Sequence, residues 1–106
     1  MKLRIYKNSL RVRLDDEDLE QLIGSSCITE RLQFSADEEE CLIYSVETLD
    51  SETRVSVEFR TGHIRVFIGE ETARKLADGS QVAVEATQLA DGASPLEILV
   101  EKELLP

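Results

Sequence analysis

Lys2, Arg4, Arg11 and Arg13 alternate with apolar residues in the opening segment MKLRIYKNSLRVRL, which holds five of the chain's twelve basic residues and no acid. The whole chain carries a formal net charge of -10, so this segment stands against a strongly acidic remainder. Guanidinium groups present planar forks of donors and an ammonium presents a compact charge; gathered on one face, they can clamp a phosphate or a carboxylate. Arg65, in a later alternating stretch, is a further candidate for the same face. Two alternative counterparts follow from the chemistry. Carboxylates of neighbouring strands, Glu58, Glu85, Glu97 or Glu101, could make the face a solvated ion-pair lattice, or a small anion or a partner protein could occupy it.

Other constellations are weaker. His63 is the only histidine, and with Cys27 and Cys41 far apart in sequence and no Cys-x-x-Cys spacing it forms no familiar zinc pattern. A Ser or Cys nucleophile with His63 as base is conceivable, although a residue opening a strand beside a tight turn is more often exposed than catalytic. Neither Gly-x-x-x-x-Gly-Lys-Ser/Thr nor Gly-x-Gly-x-x-Gly occurs, so no motif cradles a phosphate and no cofactor is implied. Carboxylate pairs such as Glu97 with Glu101, or Glu101 with Glu103, are expected by chance among 22 acids. The acidic balance argues against nucleic acid as a partner, and the lack of a long apolar run argues against a membrane span or export. The expected address is the cytoplasm, with both cysteines reduced.

These side chains must be positioned by strands. Residues 2–6 and 10–14 read as a hairpin turning at Lys7, Asn8 and Ser9, with Leu3, Ile5, Leu10, Val12 and Leu14 buried together. Keeping the apolar residues on one side sets Arg4 opposite Arg11 and Lys2 opposite Arg13, or, two residues shifted, Arg4 opposite Arg13 and Tyr6 opposite Arg11. Either register opposes like charges. Further strands are expected near residues 27–34, 41–49, 53–60 and 63–68, most simply joined as a meander, and then around Val82–Ala86 and Leu96–Val100 across the turn-rich LADGASP. A two-residue loop at Thr61 and Gly62 pairs Phe59 with Ile64 and Val57 with Val66 on the buried side, and Glu58 with Arg65 on the other, although Thr61 suits positive φ poorly.

Helical punctuation appears at Asp15–Gly24, with Asp15 as cap, Leu19, Leu22 and Ile23 inward and Gly24 at the C-terminal turn. It recurs at Gly69–Gly79, with Ala73, Leu76 and Ala77 inward. The acidic run Asp37–Glu40 reads as a solvated turn, and no internal repeat is evident. The expected fold is one α+β domain over residues 1–106: a curved antiparallel sheet or partly open barrel of about eight strands with two short helices.

Lys2, Arg4, Ile5, Asn8, Ser9, Leu10, Arg11, Arg13 and Leu14 make the opening segment similar to K-x-R-I-x-x-N-S-L-R-x-R-L, the start of a small uncharacterised bacterial family. Tyr44 and Ser45, and later Ile98, Leu99, Val100, Glu101 and Lys102, resemble further landmarks of that family. Where the family continues with Asp-Phe, a Cys and an acidic tail, this chain reads Glu103, Leu104, Leu105 and Pro106. The resemblance implies a bacterial cytoplasmic protein and brings no activity. A more distant resemblance is to the triphosphate-tunnel hydrolases, antiparallel folds with charged interiors, but their Glu-x-Glu-x-Lys opening is replaced here by Lys2, Leu3, Arg4, Ile5, Tyr6 and Lys7. The function expected is a non-enzymatic binding or protein-interaction domain with a basic hairpin face, and the alternative is an anion- or phosphate-binding enzyme on a charged concave sheet.

Overall fold

In the computed structural model, which describes residues 1–50, 55–89 and 92–104, eight strands and two short helices form an α+β domain. The strands are β1 (Lys2–Tyr6), β2 (Ser9–Leu14), β3 (Cys27–Gln33), β4 (Cys41–Leu49), β5 (Ser56–Arg60), β6 (His63–Gly69), β7 (Ala83–Gln88) and β8 (Leu96–Lys102), and the helices are α1 (Asp16–Ser25) and α2 (Glu70–Asp78). Residues 53–54 of the expected fifth strand and residues 90–91 of the LADGASP turn lie outside the described residues.

The strands divide into two four-stranded sheets, ordered β1-β2-β8-β7 and β3-β4-β6-β5. Outer pairings are antiparallel, but β2 runs parallel to β8 and β4 parallel to β6. The expected meander is therefore replaced by crossovers: β5 pairs with β6 and never enters between β4 and its neighbours. Alternation fixes which face of a strand is buried, yet it is silent about which distant strand lies alongside.

No repeat is evident in the sequence, yet the two halves of the chain repeat one topology. Replacing β1, β2, α1, β3 and β4 by β5, β6, α2, β7 and β8 reproduces each sheet order and each pairing direction. Arg11 and Arg65, Val12 and Val66, and the caps Asp15 and Gly69 are each 54 residues apart (65 minus 11), and Arg13 against Glu101 in one sheet answers Phe67 against Glu47 in the other. Each half gives one hairpin to each sheet, so neither half closes a core alone. Most of the equivalent residues differ in type, which hides the duplication from inspection.

Both helices form for local reasons. The Asp15 carboxylate accepts from the Asp18 N–H while Asp18 accepts from the Asp15 N–H, a reciprocal capping box, with Asp16, Glu17 and Asp18 in the positive first turn. The helix carries Gly24 in its last turn, as expected, and is capped at Ser26, so the left-handed position (φ 65°) falls on the serine and not on the glycine. α2 starts after Gly69 and ends at Gly79, φ 83°, as its spacing predicts. The helices pack on each other and on strands of both sheets through Leu19, Leu22, Ala73 and Leu76, while Ile23 is largely exposed. Between the sheets, Leu10, Val12, Leu14, Ile98 and Val100 meet Ile28, Val46, Val66 and Ile68 in one core. Burial of such a side chain contributes about 1.5–3 kcal/mol.

Two hairpin ends depart from the expected burial. Ile5 is 60% exposed and Phe59, its equivalent, 66%; both lie near the turn ends of edge strands, where they line a groove that opens between the two sheets. Val82, expected in a strand, precedes β7 and is half exposed. Thr61 and Gly62 are both at positive φ (49° and 73°), as a type I′ turn requires, so the tight register forms despite the β-branched residue.

Candidate functional site

β1 and β2 pair with Lys2 opposite Arg13, Leu3 opposite Val12, Arg4 opposite Arg11 and Ile5 opposite Leu10, the first of the two expected registers. Period-two geometry then puts Lys2, Arg4, Arg11 and Arg13 together on the face of the sheet turned away from the core. Asn8 locks the turn to the start of β8: its amide donates to the carbonyls of Ser94 (3.0 Å) and Pro95 (2.6 Å), and its own carbonyl accepts from the Glu97 N–H.

The parallel neighbour β8 brings Glu101 beside Arg13. Arg11 donates to both carboxylate oxygens, Nε to Oε1 at 2.8 Å and Nη2 to Oε2 at 3.1 Å, and Arg13 Nε reaches Oε1 at 3.0 Å. Lys2 pairs with Glu103 at 2.6 Å. The Arg11 hydrogen bond, reinforced by Arg13 and opposed by burial, holds the Glu101 carboxyl below the ordinary glutamate range, and the same bond raises Arg11. Of the four acids expected as counter-charges, Glu101 takes this part. Glu97 accepts from the Thr87 hydroxyl and Glu58 lies near Arg65.

Among the described residues three of the four cations thus pair with two carboxylates. Arg4 makes no ion pair among the described residues and is exposed. Lys2, Leu3, Arg4, Arg11 and Arg13 together line a small recess of about 150 Å³. At that volume it suits a carboxylate or a small oxyanion.

Arg65 does not join them. It lies on β6 of the other sheet, at the position equivalent to Arg11, and there repeats the Arg11–Glu101 arrangement with Glu47: Nε to Oε2 at 2.7 Å and Nη2 to Oε1 at 2.9 Å. Glu58 lies 3.6 Å away and the Phe67 ring 4.9 Å from the guanidinium carbon. The Arg65 hydrogen bond lowers the Glu47 carboxyl, against burial. Residue type alone groups Arg65 with the cations of the first hairpin, whereas the parallel β4–β6 pairing places it beside its own carboxylate.

A polar group around Ser45 was also missed. Ser45 is 2% exposed, and its hydroxyl lies 2.9 Å from His63 Nε2 and 3.2 Å from Glu47 Oε2. The two-residue spacing of Ser45 and Glu47 on one strand could have signalled a shared face. The arrangement is not a relay, because the carboxylate meets the serine and is already engaged by Arg65; among the described residues none orients His63 from its other side.

Cys27 and Cys41 are free thiols at opposite ends of the β3–β4 pairing, where Cys27 faces Glu47 and Cys41 faces Gln33. Six residues of strand put them on the order of 20 Å apart, too far for a bridge. Among the described residues no cluster of three or more His, Cys, Asp or Glu side chains could hold a metal, and no helix is long and apolar enough to cross a membrane. The interior is filled mainly with Leu, Val and Ile and the hairpin cations lie outside, so among the described residues the charged interior of the tunnel hydrolases has no counterpart.

Fold and site together define a small α+β domain, built from two interleaved hairpin–helix–hairpin halves, with a cationic outer face on its first hairpin. The chain belongs to the family of unknown function DUF7009, which matches residues 1–105. No curated protein and no solved structure matches the chain.

Proposed function

We propose that the protein is a non-enzymatic interaction domain of the bacterial cytoplasm whose first hairpin holds a carboxylate-rich segment of a partner protein. The observation that carries this reading is the charge imbalance on one face: Lys2, Arg4, Arg11 and Arg13 surround a recess, and among the described residues only Glu101 and Glu103 stand against them. Glu101 pre-orients Arg11 and Arg13, so less side-chain freedom is lost when a ligand arrives. Arg4 supplies the uncommitted charge. A second reading, capture of a small oxyanion such as phosphate, rests on the size of the recess.

Thermal melts at constant ionic strength test both. Hexaglutamate should raise the melting temperature of the wild type, since a ligand that binds only the folded state stabilises it by mass action. The Arg4→Gln variant should melt like the wild type without ligand and lose most of that increase. Stabilisation by inorganic phosphate alone would favour the second reading, and no effect of either would overturn both.

A further inference from the structure

Four edges flank the two sheets, and they are not treated alike. At the β5 edge, the Val57 N–H donates to Gln88 Oε1 and the Val57 carbonyl accepts from Gln88 Nε2, each at 2.8 Å. The Gln88 amide, carried on edge strand β7, thereby substitutes for a neighbouring peptide group and joins the two sheets along this seam. Val57 stands opposite Val66. Its outward-facing backbone shows that this register position turns its N–H and C=O away from the hairpin partner.

Leu3 occupies the equivalent position in β1, opposite Val12. Leu3 and Ile5, two residues apart, therefore also direct N–H and C=O outward. Among the described residues no hydrogen bond reaches these groups. The residue equivalent to Gln88 is Leu32 in β3, opposite Leu42 as Gln88 is opposite Leu96, and it has no amide to offer. The latch built into one half is missing from the other.

Resting on the proposed interaction role, we infer that β1 accepts an extended strand of the partner, and that this strand alternates acidic with apolar residues. Period-two geometry sets the pattern. Acids on the outer face meet Lys2 and Arg4. Apolar residues on the other face cover Leu3 and the 60% exposed Ile5. Next to Ile5, a groove of about 300 Å³ lined by Leu10, Val57, Phe59, Ile64 and Leu96 receives one apolar side chain. A second copy of this chain is disfavoured as the occupant, because two-fold pairing of β1 with β1 opposes Lys2 and Arg4 to the same cations. β3 is also an exposed edge, but Glu30 and Arg31 lie on opposite faces, so neither face gathers two cations as Lys2 and Arg4 do on β1.

The test compares two peptides of one composition, alternating Glu-Val-Glu-Val-Glu-Val and block Glu-Glu-Glu-Val-Val-Val, by amide hydrogen exchange of the full-length protein. The alternating peptide should slow exchange at Leu3 and Ile5 at least tenfold, and the block peptide should not. Methylating alternate amides of the alternating peptide should abolish the protection while leaving its charges in place. Equal chemical-shift changes on the β1–β2 cations from both peptides, without protection of Leu3 and Ile5, would overturn strand addition and leave the interaction role standing. No shift from either peptide would overturn both. Protection that survives in a Lys2→Gln/Arg4→Gln variant would show that charge does not select the strand.

Discussion

Glu101→Gln removes one charge from the point where two guanidinium groups meet and keeps nearly the same shape. Three hydrogen bonds converge on this carboxylate, two from Arg11 and one from Arg13. Bonds to charged groups contribute about 1.5–3 kcal/mol when buried, and exposed ion pairs about 0.2–1 kcal/mol. Here the carboxylate is largely buried (16% exposed) while both guanidiniums are more than a third exposed, so solvent screening reduces the upper figure. Glutamine also retains one acceptor. The expected loss on removing the Glu101 charge is about 1–2 kcal/mol, which for a domain near this size corresponds to a fall in melting temperature of about 5–10 °C. The pH dependence carries a definite sign. The Glu101 carboxyl is lowered in the folded state, first by the Arg11 hydrogen bond, so its contribution is complete above the ordinary glutamate pKa and disappears as pH falls through the lowered folded value. Melts of wild type and variant at neutral pH should therefore differ by that amount and converge as the pH is taken well below about 4. Identical melts at neutral pH, or a difference that persists unchanged into acid, would refute the assignment of Glu101 as the charge that holds this face together.

The duplicated architecture predicts matched costs in the two helices: Leu22→Ala and Leu76→Ala, both at fully buried equivalent positions, should each lose about 2–5 kcal/mol in urea unfolding. Asp15→Ala should lose about 1 kcal/mol by removing the cap of α1, whereas Gly69, which has no side chain to cap α2, offers no such loss on that side. Alkylation of the unfolded protein without reductant should label both Cys27 and Cys41, and a product unlabelled at either would contradict the separation seen along the β3–β4 pairing.

Much of the local structure was legible because it rests on short-range physics. The register of β5 and β6, including Glu58 opposite Arg65, follows from two alternating runs around a two-residue loop. The cap at Asp15 and the end at Gly79 follow from residue type. The convergence of Lys2, Arg4, Arg11 and Arg13 follows from the first hairpin alone. What could not be read depends on partners far away in sequence. Parallel pairing of β2 with β8 brings Glu101 to Arg11 across most of the chain, and no periodicity encodes that choice. Arg65 was grouped with the wrong cations for the same reason. The exposure of Ile5 and Phe59 depends on their place on edge strands, which alternation does not report.

The central claim, that the first hairpin is a recognition face for carboxylates, is tested most directly by mapping amide chemical shifts of the labelled protein during a hexaglutamate titration at fixed ionic strength. The account predicts saturable changes concentrated on β1, on β2, at Glu101 of β8 and at Glu103 just after it. Changes confined to Arg31, Arg60 and the Arg74–Lys75 surface, with β1 and β2 unmoved, would contradict it.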